Sequence, residues 1–150
     1  MARIKSLVIL LALCASVMSS CEKDDQAISG VFLSAKVDGS TKEAKDAKVS
    51  VAPFEGMLAI VGVLGTTESI TLLLPINLSV KEYSLTGIDA EAIADYANGP
   101  SDLNLYSAVS GSIKVTAISG TNIEGTFSFV GKNDANASKT VTEGKFNAKR

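Results

Sequence analysis

The segment Ile123-Glu124-Gly125-Thr126-Phe127-Ser128-Phe129-Val130 decides the fold of this chain. Apolar residues or glycine alternate with polar residues along most of its length. A period of two is the pattern of a β-strand with one buried face, because successive side chains point to opposite sides. We therefore predict a strand here. Its inward residues are Ile123, Gly125, Phe127 and Phe129, and its outward residues are Glu124, Thr126 and Ser128.

Strands of the same kind flank this segment. Residues 112–118 precede it across a turn at residues 119–122, and residues 140–149 follow it after a polar loop. Short polar connections between alternating segments favour antiparallel neighbours. We therefore predict three adjacent antiparallel strands, in which the further inward residues are Ile113, Val115, Ala117, Phe146 and Ala148.

The remaining domain shows short strand-like runs separated by Gly, Asn, Asp and Pro. Residues 57–64 are apolar on both faces, which is typical of a strand covered on both sides. Residues 89–96 favour one or two helical turns after an N-cap at Asp89. The further predicted strands span residues 31–37, 47–51, 69–74, 80–85 and 103–109. The fold class is all-β: an antiparallel β-sandwich or a flattened up-and-down barrel of about eight or nine strands with one short helix.

Residues 1–20 have the positive start, apolar centre and small-residue end of a bacterial signal peptide. The apolar centre at residues 7–13 is shorter than the roughly 20 residues that a membrane-spanning helix needs. Cys21 follows two serines, whereas Cys14 follows a bulky leucine and suits a peptidase poorly. We predict cleavage between Ser20 and Cys21 and lipidation of Cys21, which would anchor the chain to a membrane.

Residues 21–30 form a charged tether that begins Cys21-Glu22-Lys23-Asp24-Asp25. Such a run is typical of a solvated spacer. The run Lys23-Asp24-Asp25 also looks like the surface-export signal of lipoproteins in Bacteroidota. That resemblance implies display on the outer leaflet of the outer membrane, and retention in the periplasm is the alternative. Residues 31–150 then form a single β domain.

The charge and composition exclude several classes of function. The formal net charge is −2, and it becomes −4 when Arg3 and Lys5 leave with the signal peptide. Because a mildly acidic domain offers no basic face, we expect no nucleic-acid partner. The chain contains no histidine, which is the commonest general base and a common metal ligand. We expect no metal and no cofactor.

The candidate catalytic residues are few. Glu91 and Asp95 would lie four positions apart on the predicted helix, where paired carboxylates could support hydrolysis. Like charges at this spacing are more often found on a solvated helix face. The run Asn133-Asp134-Ala135-Asn136 lacks the glycine and the final glutamate of a calcium loop. We expect a protein that is not an enzyme.

Three segments of the C-terminal half carry a resemblance to a known family: residues 111–115, 123–129 and 141–146. Together with Phe32-Leu33-Ser34-Ala35-Lys36-Val37-Asp38-Gly39, they resemble small uncharacterised lipoproteins of Bacteroidota. The resemblance implies a lipidated all-β domain of unknown function and supplies no catalytic residues.

These observations lead to two main hypotheses of function. The first is a surface-exposed outer-membrane lipoprotein whose non-catalytic β domain binds an extracellular glycan, peptide or protein. The alternative is a periplasm-facing structural or assembly subunit of an envelope complex. A third hypothesis is a carboxylate-dependent hydrolase that uses Glu91 and Asp95.

Overall fold

The computed structural model describes residues 30–88 and 90–150. These residues form ten strands and two single 3₁₀ turns, at Asp46–Lys48 and Asp102–Asn104. The strands are β1 (Phe32–Val37), β2 (Ser40–Lys45), β3 (Val49–Phe54), β4 (Met57–Val63), β5 (Ser69–Pro75), β6 (Glu82–Ser84), β7 (Ile93–Ala97), β8 (Leu105–Ile118), β9 (Asn122–Lys132) and β10 (Ser138–Lys149).

All strands belong to one antiparallel sheet in the order β2-β1-β10-β9-β8-β7-β5-β4-β3, and β6 pairs with the second half of β8. The sheet curves until its two halves face each other across one hydrophobic core. A methyl group placed on Gly62 of β4 would lie 3.0 Å from the side chain of Leu33 on β1. The result is a nearly closed, flattened barrel, so the predicted fold class is confirmed.

Reciprocal glycine–phenylalanine pairs hold strands β9 and β10 together. Gly125 of β9 lies opposite Phe146 of β10, and Phe127 of β9 lies opposite Gly144 of β10. Each ring covers the glycine across from it, because a methyl group on Gly125 would lie 2.5 Å from Phe146. Aromatic rings over glycines let a sheet bend sharply without opening its core. The predicted inward residues of β9 are all buried, which confirms that prediction.

Strand β8 is longer than the sequence predicted. Residues 103–109 and 112–118 were expected to form two strands, but one strand runs from Leu105 to Ile118. A bulge between Ala108 and Ser110 absorbs the irregularity. A second bulge, between Val115 and Ala117, turns Ala117 to the exposed face. The prediction that Ala117 faces inward is therefore wrong.

The predicted helix at residues 89–96 is also wrong. Most of this segment is strand β7, which fills the gap between β5 and β8. Ala94 and Tyr96 point into the core and are almost completely buried. Tertiary packing therefore overrides the local preference of alanine and glutamate for a helix. Asp89, the expected N-cap, lies outside the described residues.

The two ends of the sheet order differ from the sequence predictions as well. Strand β2 was not predicted, because four of its six residues are Ser, Thr or Lys, and only Ala44 is buried. Charged residues suit an exposed edge strand, since they discourage pairing with another chain. At the other end, the strand predicted at residues 47–51 begins later, at Val49, after the 3₁₀ turn.

Strand β4 buries its inner face, and its outer face is covered in part, since Ala59 is 8% exposed and Met57 and Val61 are half-buried. Leu58 and Ile60 belong to the core, whereas the outward Val63 is 41% exposed. The sequence correctly indicates a strand that is apolar on both sides. The expectation that both sides are covered holds for the inner side and only in part for the outer side.

Candidate functional site

A concave surface that carries polar side chains lies on the outer face of β6, β8, β9 and β10. We call it the outer groove, and its volume is about 490 Å³. Two rows of paired residues cross the strands there. The first row is Glu82, Lys114, Thr126 and Lys145, and the second row contains Ser112 and Ser128. Glu143 also lines the groove.

A bulge in β10 lies in the wall of the outer groove. The pairing of β10 with β9 shifts between Val141 and Gly144, and Glu143 adopts a φ of 51°. A bulge increases local twist and redirects the side chain at the extra position. Glu143 accepts a hydrogen bond from Lys36 of β1 at 2.8 Å. The ion pair therefore ties the wall of the groove to the neighbouring strand.

The chemistry of the groove suits a hydrophilic ligand. Its lining combines three hydroxyls with two carboxylates and two ammonium groups, so it offers both donors and acceptors. Ser112 donates a hydrogen bond to Glu82, which orients that carboxylate at one end. Ligand sites of about 300–1,000 Å³ usually combine an apolar lining with a few placed polar groups, and the groove lies within this size range.

A second polar feature, partly exposed to solvent, lies at one end of the sheet. We call it the charged cluster. It consists of Asp38, Lys42, Glu68, Tyr96, Tyr106 and Lys139. The Lys42 ammonium donates to both oxygens of Glu68, at 2.8 and 3.0 Å, and the Tyr96 hydroxyl donates to Glu68 at 3.1 Å. These bonds connect β2, at one end of the sheet order, to the start of β5 and to β7.

The other half of the charged cluster joins β1 to β10. Lys139 donates to the Asp38 carboxylate at 2.7 Å, and the backbone N–H of Thr140 donates to the same carboxylate at 3.0 Å. The Lys139 ammonium lies 6.0 Å from the centre of the Tyr106 ring, which in turn lies 6.1 Å from the Tyr96 ring. The charged members of the cluster therefore lie over its two buried tyrosines.

The pKa shifts in the charged cluster all favour the ordinary charge states. The Lys42 hydrogen bond lowers the pKa of Glu68, and the Lys139 hydrogen bond lowers the pKa of Asp38. The Asp38 hydrogen bond raises the pKa of Lys139. Burial, together with the Glu68 charge, raises the pKa of Tyr96 to about 12. The pKa of each of these groups lies far from neutral pH. The cluster therefore suits structural closure of the sheet better than proton transfer.

The structure separates the two candidate catalytic carboxylates. Asp95 lies in β7, and Glu91 lies in the connection before it rather than one helical turn away. Glu91 accepts hydrogen bonds from Lys81 at 2.7 and 2.8 Å and is exposed, as expected for a surface ion pair. The helical i, i+4 arrangement predicted for these two residues is therefore wrong.

The predicted lipidation and export residues lie outside the described residues. They are Ser20 and Cys21 at the cleavage site, and Lys23, Asp24 and Asp25 in the tether. These assignments stay predictions. Within the described part of the chain, no helix is long and apolar enough to cross a membrane.

Sequence reasoning missed both polar features. The outer groove unites residues from β6, β8, β9 and β10, and one of its walls contains a bulge that no local motif marks. One indication of the groove was present in the sequence, because Thr126 and Ser128 were predicted to face outward from β9. The charged cluster joins Asp38 to Lys139 and Lys42 to Glu68, and pairs so distant in sequence follow only from the strand order.

Comparison with known families adds one finding. The sequence model of DUF6252, described as a domain of unknown function, matches residues 29–148. The chain belongs to the DUF6252 family. The match spans nearly all of the described residues, so the DUF6252 domain and the curved sheet coincide. Comparisons with curated proteins and with solved structures give no match.

Proposed function

We propose that this DUF6252 chain is an outer-membrane lipoprotein that binds a hydrophilic extracellular ligand, a glycan or a polar peptide, in the outer groove. The observation that carries the binding role is the groove itself, a concavity of about 490 Å³ lined by hydroxyls and by charges of both signs. The anchor rests on the signal-like residues 1–20 followed by Cys21. The domain acts by holding its ligand and performs no catalysis.

The position of the groove supports a recognition role. Its lining residues point outward from β8, β9 and β10, which are the strands with the most extensive pairing in the sheet. A rigid sheet keeps polar groups at fixed spacings, which lowers the entropic cost of ordering them around a ligand. Lys114 and Thr126 lie directly opposite each other near the centre.

A binding comparison between two lysines tests the groove. Lys114→Ala removes an ammonium group from the groove, whereas Lys132→Ala removes an exposed one from the end of β9, outside it. We expect retention on a glycan array or a peptide array to fall at least tenfold for Lys114→Ala and to stay unchanged for Lys132→Ala. Equal retention by both variants and the wild type would refute the groove as the binding site.

Protease treatment of intact cells tests the location. If the domain is displayed on the surface, external protease removes it from intact cells as readily as from lysed cells. If the domain survives until the outer membrane is opened, it faces the periplasm. The variant Lys23→Ala/Asp24→Ala/Asp25→Ala should lose surface cleavage while keeping its anchor, because those residues form the proposed export signal.

A periplasm-facing assembly subunit is the second candidate function. It is favoured by the outer face of β3, β4, β5 and β7, which is largely apolar and includes the exposed side chains of Phe54, Val63 and Ile93. Faces of this kind often mark protein–protein contacts. Survival of the domain in intact cells would favour this candidate over surface display.

A further inference from the structure

The exposed large apolar side chains are confined to one part of the domain. In the described part of the chain, nine such side chains are exposed: Phe54, Val63, Ile76, Val80, Ile88, Ile93, Leu103, Leu105 and Val109. Five lie on β3, β4, β7 and β8, and four lie in the connections between β5 and β8. Single surface hydrophobics need no explanation, but a set confined to one side of a domain indicates a contact surface.

The outward positions of β3, β4, β5, β7 and residues 105–109 of β8 form one continuous surface, which we call the apolar face. Two rows of paired residues cross it: Ala52, Ala59, Leu73 and Ile93, and then Val63, Ser69, Ala97 and Leu105. The row between them is more polar and contains Val61, Thr71, Asp95 and Ser107. Asp95 is the one ionisable residue among the outward positions of these described strands. Five strands at about 4.8 Å spacing make the face roughly 19 Å wide.

The opposite side of the barrel is polar and charged. In the strand order, β9 lies four positions from β4 and β10 lies four positions from β5, which is about half of the circumference. The outer groove lies on that side, and its lining includes Lys114, Glu143 and Lys145. The barrel is therefore amphipathic around its circumference, with one side suited to an apolar contact and the other suited to water.

The chain enters the domain beside the apolar face. The backbone N–H of Asp46 donates to the carbonyl oxygen of Val31 at 2.8 Å, and a methyl group on Gly30 would lie 3.9 Å from the Asp46 carboxylate. Asp46 begins the 3₁₀ turn that leads directly into β3, the first strand of the apolar face. The chain from Cys21 to Gly30 spans at most about 30 Å. A lipid on Cys21 therefore keeps the membrane within reach of the whole face.

We propose that the apolar face lies on the lipid surface of the membrane that holds Cys21, so that the outer groove points away from the membrane. The inference rests on the lipid anchor of the proposed function and not on the identity of the groove ligand. Phe54, Ile93 and Leu105 enter the boundary between headgroups and acyl chains, where interfacial proteins bury apolar groups about 5–10 Å deep. Because the face carries so little charge, anionic headgroups repel it less than they repel the rest of this acidic domain.

The lipid anchor removes the need for a strong contact. Binding through the face alone would be weak, because the row that contains Thr71, Asp95 and Ser107 is polar. The anchor holds the domain at the membrane, so that contact of the face with lipid is an intramolecular event at high effective concentration. A modest attraction is then sufficient to orient the domain.

Fluorescence quenching in pure lipid vesicles tests this orientation. The full chain, with Cys14→Ala and either Ile93→Cys or Thr126→Cys, is purified with its lipid and incorporated at low density into vesicles of phosphatidylethanolamine and phosphatidylglycerol. A thiol-reactive fluorophore marks the introduced cysteine, because the Cys21 sulfur already carries lipid. Both positions are exposed, so both accept the label. With bromine atoms on the acyl chains, we expect at least threefold stronger quenching at position 93 than at position 126.

The outcomes separate the inference from the anchor. Equal quenching at the two positions, in chains that float with the vesicles, would overturn the inference and leave the anchor intact. Chains that do not float would overturn both. The vesicles hold no other protein species, so quenching at position 93 reports contact with lipid and not with a protein partner.

A carboxylate added to each side of the barrel provides the matched control. In the labelled Ile93→Cys chain, Leu105→Asp places the charge on the apolar face and Ser128→Asp places it in the outer groove. Both residues are exposed, so the fold tolerates either change. We expect Leu105→Asp to lower the quenching at position 93 at least twofold and Ser128→Asp to leave it unchanged. Equal quenching in the two variants would overturn the proposal.

Discussion

The pairing of glycine with phenylalanine in β9 and β10 predicts a large effect from one methyl group. We consider Gly144→Ala. A Cβ atom at this position would lie 2.6 Å from the ring of Phe127 and would also meet the Phe127 carbonyl oxygen. Atoms cannot approach so closely, so the ring or the strand must shift. Gly144 does not have a positive φ, so steric overlap is the only penalty.

The magnitude follows from two opposing contributions. Overpacking of a core typically costs about 1–3 kcal/mol, and contact with backbone places this site near the upper end. Replacing glycine at a compatible φ restores about 0.4–1 kcal/mol by restricting the unfolded chain. We expect a net loss of about 2 kcal/mol in the free energy of unfolding, which lowers Tm by roughly 8 °C for a domain of this size.

Gly120→Ala is the matched control for this change. Gly120 lies in the turn between β8 and β9, also lacks a positive φ, and has no atom within 4 Å of an added Cβ. Thermal and urea unfolding should show the control to be as stable as the wild type or slightly more stable. If Gly144→Ala unfolds at the same temperature as Gly120→Ala, the proposed packing of β9 against β10 is refuted.

Three further predictions concern the core and the charged cluster. Phe146→Ala should lower the free energy of unfolding, measured in urea, by about 3–5 kcal/mol. Phe54→Ala, at an exposed position, should change it little. Equal losses from the two variants would contradict the assigned core. Because the folded pKa of Glu68 lies below its ordinary value of 4.5, Glu68 stabilises the fold above that pH and loses this effect as the pH falls through the folded pKa. Glu68→Gln should therefore flatten the acid side of the stability profile, and an unchanged profile would rule out the Lys42–Glu68 contact. The pKa of Tyr96 is raised from 10.0 to about 12. Its neutral form therefore stabilises the fold at pH values below 10, and this stabilisation is lost as the pH rises from 10 to about 12. Tyr96→Phe should remove a step near pH 12 from an ultraviolet titration of the protein, and persistence of that step would contradict the assignment.

The parts of the fold that depend on regular alternation were predictable. In β9, every second residue between Ile123 and Phe129 enters the core, and no bulge interrupts the pattern before Val130. The prediction failed where a bulge changes the register, as at Ala117. It also failed where packing decides the outcome, as in β7, whose alanines form a strand because β5 and β8 lie on either side.

The candidate site was less accessible to sequence reasoning than the fold. Thr126 and Ser128 were predicted to face outward, but Glu82 joins them only because β6 pairs with the second half of β8. The partnership of Lys42 with Glu68 likewise depends on curvature of the whole sheet. The alternation of residues in a local sequence predicts which side chains of a strand face inward. It does not predict which strands become neighbours, and these contacts depend on that order.

Metabolic labelling with an alkyne fatty acid tests the central claim of a lipid-anchored domain most directly. The chain contains two cysteines, Cys14 and Cys21, and each provides the control for the other. We expect label on the wild type and on Cys14→Ala, and no label on Cys21→Ala. Label that persists in Cys21→Ala, or its absence from the wild type, would contradict the account.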